Sequence, residues 1–304
     1  MIVSSSSAFR KAIDIGSCPA DSPAVPRAVF MVEPADFHVS GETSFDNRYL
    51  DSEQKADPDR ALFQFEQLVK LIRGAGIPVE SFPGDPATPD GVFPNNVFAT
   101  VPGRLIVGRM LYPGRQAEAR RKDIGAYFTS LGFDTVDLSG EDCIAELTGP
   151  LVLDRARRIG FCGMTDRVND AGALAMHRAF ALKLTFKFDL KSGEYHNNVV
   201  MSILAGRACV IHAGAFVDEE VPMAIAEAYQ GCTLFIDQQE KDAFVGNCLA
   251  LTNSDLFMSE TGVDALRPTS RAALESWGFV LHATKLDEIE KAGGSLRCMV
   301  AEIF

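Results

Sequence analysis

Short apolar runs along this chain alternate with turn clusters and with longer stretches whose apolar positions fall every three or four residues, the patterns of strands, turns and helices. One arrangement recurs. Asn96–Gly108, Gly149–Cys162, Asn198–Ile211 and Asn247–Met258 each read as two apolar strands around a turn carrying Gly, Arg, Asn or Asp. Helical periodicity follows each hairpin, at Gln116–Leu131, Asn169–Leu182, Glu219–Tyr229 and Asp264–Trp277. A β-rich run closes each unit: Phe133–Leu138, Leu184–Leu190, Thr233–Asp237 and Phe279–His282. The unit is strand-strand-helix-strand and about 50 residues long.

A fifth copy is split between the ends of the chain. Leu296–Ile303 lacks a following strand and Ala28–Val32 lacks a preceding one, so pairing the two closes a ring, with its helix at Arg60–Gly74 and its last strand at Val79–Phe82. Closure removes the open boundary that a repeat array otherwise has to cap. The expectation is an α/β fold, a five-module α/β propeller over residues 27–304, forming one catalytic domain. A doubly wound parallel sheet explains the alternation of strands and helices but not a hairpin in every unit. Residues 1–26, with Ser4 to Ser7 and the prolines from Pro19 to Pro26, read as a loose N-terminal segment without the apolar core of a secretory signal.

Composition narrows the function classes. With 47% hydrophobic and 23% charged residues the chain is globular, and no uncharged apolar run approaches membrane-spanning length. A formal charge of −12 disfavours nucleic acid and anionic lipid. The seven cysteines are scattered without a C-x-x-C pair, which argues against a disulfide framework or structural zinc and fits a cytoplasmic protein.

Asn96, Glu146, His196, Cys248 and Cys298 open successive hairpins at intervals of 50, 50, 52 and 50 residues. In a ring, equivalent positions converge on the axis, and a thiol, an imidazole, a carboxylate and an amide gathered there make a nucleophile set. Each taken alone has a plainer reading: a cysteine in a core, a hydrogen-bonded histidine, a solvated carboxylate. Cys298 follows Gly293-Gly294-Ser295 and is the nucleophile expected; Cys248, ahead of Leu-Ala-Leu, lines the barrel. His212 and His282 read as strand histidines, and His177 and His38 fall outside the repeat phase.

These residues resemble the guanidino-group-modifying superfamily of arginine deiminases, dimethylarginine dimethylaminohydrolases and amidinotransferases, all five-module propellers. The motifs that carry it are Pro-Asp90-Gly-Val-Phe-Pro-Asn95-Asn96, Glu146-Leu-Thr-Gly, Thr-Asp-Arg167-Val-Asn169, Tyr195-His196-Asn-Asn198 and Gly-Gly-Ser-Leu-Arg-Cys298. The resemblance implies that Cys298 attacks the central carbon of the substrate and that His196 acts as acid and then base. It implies that Glu146 anchors substrate N–H groups, with Asp90, Asn95, Asn96 and Asn198 completing the cradle, and that Arg167 pairs with the α-carboxylate. Amides at Asn95, Asn96 and Asn198, where many deiminases carry acids, favour a neutral ureido group over a guanidinium, and several segments look like the citrulline-utilization hydrolases.

The leading expectation is therefore hydrolysis of citrulline to ornithine, ammonia and carbon dioxide. Arginine deiminase or arginine dihydrolase activity comes next, then amidinotransfer, and a non-enzymatic propeller resembling translation initiation factor six stays open. No cofactor is expected, since neither metal-ligand spacing nor a phosphate-binding glycine motif occurs. The partner expected is a small ureido or guanidino amino acid, with a homodimer the assembly considered. His38 to Pro58 reads as a surface loop or a lid, with Asn47 a contact.

Overall fold

The computed structural model of the chain describes residues 1–16, 18–41, 47–50 and 55–304. Within them the recurrent pattern becomes five mixed sheets. In four of them a tight turn joins two antiparallel strands, and in all five a helical crossover returns the chain to a third strand running parallel to the second, as a parallel pair requires. Phe98–Val101 and Arg104–Val107 pair with Asp134–Asp137 in this way, and Leu151–Asp154 and Ile159–Met164 with Leu184–Asp189. Met201–Leu204, Ala208–Ile211 and Thr233–Phe235 form the next sheet, and Leu249–Ala250, Asp255–Ser259 and Val280–Thr284 the one after.

The split copy assembles from both ends. Ala301–Ile303 runs antiparallel to Ala28–Val32, with Ala301 opposite Phe30, and Val79–Phe82 completes that sheet. The helix Pro58–Gly74 turns Ala61, Phe65, Leu68, Val69 and Ile72 inward, an apolar stripe at three- and four-residue spacing. Leading strands touch across sheets: Met201–Leu204 lies against both Leu151–Asp154 and Leu249–Ala250, and Ala301–Ile303 against Phe98–Val101. The segments that enter these strands are thereby brought to one end of the molecule.

Several elements depart from the sequence reading. The N-terminal stretch is not loose. Ile2–Val3 adds a parallel strand beside Leu184–Asp189, giving that sheet four strands. Ser5, one of the serines that suggested looseness, accepts a hydrogen bond from the Ala8 N–H and caps the helix Ser6–Asp14. That helix buries Phe9, stacked on Phe186 at 4.6 Å between ring centroids. Beyond it, the Asp21 N–H bonds the Ala156 carbonyl at 3.0 Å.

Two predicted helices are each a pair, Pro113–Glu118 with Lys122–Ser130 and Glu260–Ala265 with Pro268–Ser276. In the second case Pro268 forces Arg267 out of the helical region, to φ −59° and ψ 149°. The last predicted strand divides into a helical turn, Leu296–Met299, and the strand Ala301–Ile303. No helix among the described residues is long and apolar enough to cross a membrane.

Candidate active site

Cys298 sits in the turn Leu296–Met299, immediately before the strand that pairs with Ala28–Val32. His196 precedes the turn Asn197–Val200, and Asn96 ends the turn Pro94–Asn96. These three side chains line one pocket together with Asp90, Phe93, Arg115, Arg167, Tyr195 and Asn47. The pocket is about 20 Å³, the room of a single water.

Glu146 lies behind this wall rather than in it, with no exposed surface. Its Oε2 accepts from His196 Nε2 at 2.8 Å and pairs with Arg167 at 3.2 Å, while Oε1 accepts from the Leu111 N–H at 3.1 Å. A buried, saturated carboxylate orients the imidazole; it has no oxygen left to anchor substrate. Because Glu146 only accepts, His196 carries its proton on Nε2 and keeps Nδ1 as a base. Burial alone would raise the Glu146 pKa, but Arg167 and His196 outweigh it and hold it at about 2. Burial lowers His196, against the pull of Glu146, so the ring rests neutral.

The imidazole lies flat on Gly149, where a β-carbon would come within 2.6 Å of Nε2. Gly149→Ala should therefore displace the ring and lower turnover by about a hundredfold, the scale for losing an aligned general base. Steady-state ammonia release measures it, and unaltered turnover would show that the ring tolerates the shift.

Cys298 is 4% exposed, and its Sγ lies 3.5 Å from Asn247 Nδ2. Burial raises the thiol pKa, with the Ser295 backbone, Asn247, Arg297 and Arg115 acting in the opposite sense. Cys248, placed in the ring by its spacing, is instead wholly buried in an apolar cluster with Val210, Leu256 and Met258. Its neighbour Asn247 takes the inward position.

Asn95 and Asn198 do not line the pocket either. The Asn95 carbonyl accepts from Thr148 Oγ1 at 2.7 Å, Asn198 Nδ2 donates to the Thr148 carbonyl at 2.9 Å, and Asn247 Nδ2 donates to the Asn198 carbonyl at 2.9 Å. The Arg297 N–H then reaches Asn247 Oδ1 at 3.1 Å. The repeat period thus marks stitches that tie one module to the next as well as groups that do chemistry.

Arg115, which the sequence reading missed, is buried beneath the pocket on Pro113–Glu118. Its NH2 group donates to the Phe93 carbonyl and to Asn96 Oδ1, each at 2.9 Å. A guanidinium can only donate, so Asn96 must offer its oxygen to Arg115, leaving Nδ2 as the end available to the pocket. Arg167, assigned to the α-carboxylate by resemblance, lines the pocket with its guanidinium over the Tyr112 ring at 4.7 Å and its NH1 on Glu146.

The loop from His38 to Pro58 falls partly on residues 42–46 and 51–54, outside the described residues. Within 47–50, Tyr49 donates to Glu194 at 2.6 Å and Leu50 bridges to Ala292. Asn47 covers Gly293, which takes φ +75° and has no space for a β-carbon. The Tyr195 hydroxyl donates to the Gly293 carbonyl at 2.7 Å and ties the histidine segment to the cysteine segment.

A family model described as N,N dimethylarginine dimethylhydrolase, eukaryotic, matches residues 33–304. No curated protein matches. Among solved structures, the N-terminal domain of ArgZ, a cyanobacterial arginine dihydrolase bound to its substrate, is 19% identical with a TM-score of 0.78, covering 91% of this chain and 97% of that one. AgrE in a ternary complex with ornithine and NAD+ is 20% identical with a TM-score of 0.79, covering 91% of this chain but 39% of that longer one. A dimethylarginine dimethylaminohydrolase adduct with 4-chloro-2-hydroxymethylpyridine is 17% identical with a TM-score of 0.71, covering 91% and 100%. The resemblance to the superfamily stands, while its narrowing to the citrulline-utilization branch finds no support among these matches.

Proposed function

Because the chain belongs to the N,N dimethylarginine dimethylhydrolase family and is a hydrolase of guanidino or ureido carbon–nitrogen bonds, we propose that it is an arginine dihydrolase, taking arginine through citrulline to ornithine. This reading replaces the citrulline-only expectation. The observation that carries it is the division of labour at the pocket head, where Asp90 supplies a carboxylate and Asn96 an amide turned to donate. A guanidinium offers only N–H groups and finds its acceptor in Asp90; a ureido group adds an oxygen, and Asn96 Nδ2 can donate to it. One site can then hold both substrates in turn. The five sheets act in this reading as blades of one closed ring over residues 27–304, with the pocket at its axis.

In the first half-reaction neutral His196 takes the Cys298 thiol proton, the sulfur bonds to the guanidino carbon, and ammonia leaves with that proton returned from His196. His196 then takes a proton from water, whose oxygen bonds to that carbon; the carbon–sulfur bond breaks and citrulline forms. In the second, the thiolate attacks the ureido carbon and the ornithine amine leaves protonated. Water releases the remaining carbamoyl group from sulfur as carbamate, which splits to ammonia and carbon dioxide. Arginine and two waters thus give ornithine, two ammonia and one carbon dioxide. Arg167, which lines the pocket, is the cation this reading assigns to the α-carboxylate.

Feeding arginine and citrulline separately, and scoring ornithine, citrulline and ammonia, tests the reading. Ornithine from both substrates, with about two ammonia per arginine, is expected by the stoichiometry above. Stoichiometric citrulline from arginine with citrulline itself inert would make the protein a deiminase instead.

A further inference from the structure

The orientation of Asn96 rests on a residue with no place in the reaction above. Glu118 lies one turn after Arg115 on the helix Pro113–Glu118, 3.0 Å from Arg115 NH2, and both side chains are 5% exposed. Taking two charges out of water costs free energy that a well-packed apolar pair would not. The pair makes sense as a placement device, because the same NH2 nitrogen that meets Glu118 also meets Asn96 Oδ1 and the Phe93 carbonyl. Rotating the Asn96 amide would set its NH2 group against a guanidinium, two donors facing one another.

We propose that Glu118 is a positioning residue which, through Arg115, locks the Asn96 amide with Nδ2 toward the pocket and so commits the enzyme to the second hydrolysis. This rests on the dihydrolase reading. The lock discriminates between the two half-reactions, since only the ureido group brings an oxygen for Nδ2 to hold. Without it, citrulline formed in the first step is bound less well and escapes. Around Glu118 the charged groups are Arg115, Asp90 and Glu146, with Arg167 next to Arg115. Burial, with Asp90 and Glu146 adding, pushes the Glu118 carboxyl up to about 8 against the attraction of Arg115. The grip on Arg115 therefore tightens as pH rises through that range.

The test uses the whole protein with arginine, in wild type and in Glu118→Gln, with Glu118→Asp as the charge-retaining control. Above about pH 8, where the carboxylate is ionised, Glu118→Gln should raise free citrulline per ornithine about tenfold while arginine consumption changes less than about threefold, the signature of an interaction used by one step only. KM for citrulline should rise more than KM for arginine, and Glu118→Asp should recover part of the partition. In wild type the citrulline fraction should fall as pH rises through about 8, the value burial gives Glu118; in Glu118→Gln that dependence should vanish. A wild type yielding ornithine, with partition unchanged in Glu118→Gln or with both steps slowed alike, overturns this inference alone. A wild type yielding no ornithine overturns the dihydrolase reading and this inference with it. Should Glu118→Gln fail to fold, Glu118→Asp decides by the same ratio.

Discussion

Cys298→Ser should lower ammonia release by at least about a thousandfold in a protein that still folds, the scale on which covalent hydrolases lose activity with their nucleophile. The serine is isosteric and its neighbour Asn247 can still bond it, so the circular dichroism spectrum and unfolding midpoint should stay those of wild type. Turnover within about tenfold of wild type would move the chemistry away from this residue. The thiol also has a distinctive reactivity. Burial keeps it protonated in the empty pocket, so alkylation by iodoacetamide, localised by peptide mass, should be slow near about pH 7 and rise steeply toward and above about pH 9. In the dihydrolase reading, a guanidinium entering beside the sulfur would favour the thiolate that burial disfavours. Full reactivity already at about pH 6 would mean a preformed thiolate and would contradict the burial argument.

Glu146→Leu should destabilise the fold by about 3–5 kcal/mol, read by denaturant unfolding, because it leaves the buried Arg167 without its counter-charge. The acid limb of the stability profile should change with it. In wild type, Glu146 has a folded pKa of about 2 against an ordinary 4.5, so the stability it contributes is present above pH 4.5 and is lost as pH falls from 4.5 toward 2. His196, held neutral by burial, adds an earlier loss beginning below its ordinary 6.5, as the unfolded chain takes up a proton that the folded one resists. Glu146→Leu should keep a histidine-linked limb and lose the lower one. Unfolding free energies for wild type and variant that agree within about 0.5 kcal/mol would show that the pair does not hold the wall together.

The modules were legible because a hairpin followed by a helical crossover imposes two different periodicities in fixed order, and those survive in a single sequence. Cys298, His196 and Asn96 were legible from the same repeat phase, Asp90 and Arg167 only from the motifs that carry the resemblance, and one pocket gathers all five. Phase failed where one position mattered. Cys248 and Asn247 are adjacent, and where the turn Val245–Asn247 gives way to the strand their side chains part, the cysteine into the apolar cluster and the amide toward Cys298. Asn95, Asn96 and Asn198 look alike as letters, yet of the three only Asn96 lines the cavity, while Asn95 accepts from Thr148 through its carbonyl and Asn198 donates to Thr148 through Nδ2. Arg115 gave no signal, since it lies outside the repeat and acquires its meaning from Asn96; Tyr195 belongs to the histidine motif, but the bond of its hydroxyl to Gly293 appears only in the fold. The N-terminal helix was hidden by its own cap: a serine run that resembles flexible polypeptide becomes a helix start only when Phe9 has Phe186 to stack on.

The antiparallel clasp between Ala301–Ile303 and Ala28–Val32 carries a consequence for when the enzyme becomes able to react. The sulfur lies three residues ahead of the clasp, so it is delivered to the imidazole only once stretches separated by nearly the whole polypeptide have met. Contacts of such sequence separation are entropically costly to close and form late. If the proposed roles hold, a partly unfolded chain carries the Cys298 sulfur without His196 beside it, and competence follows the meeting of these two strands.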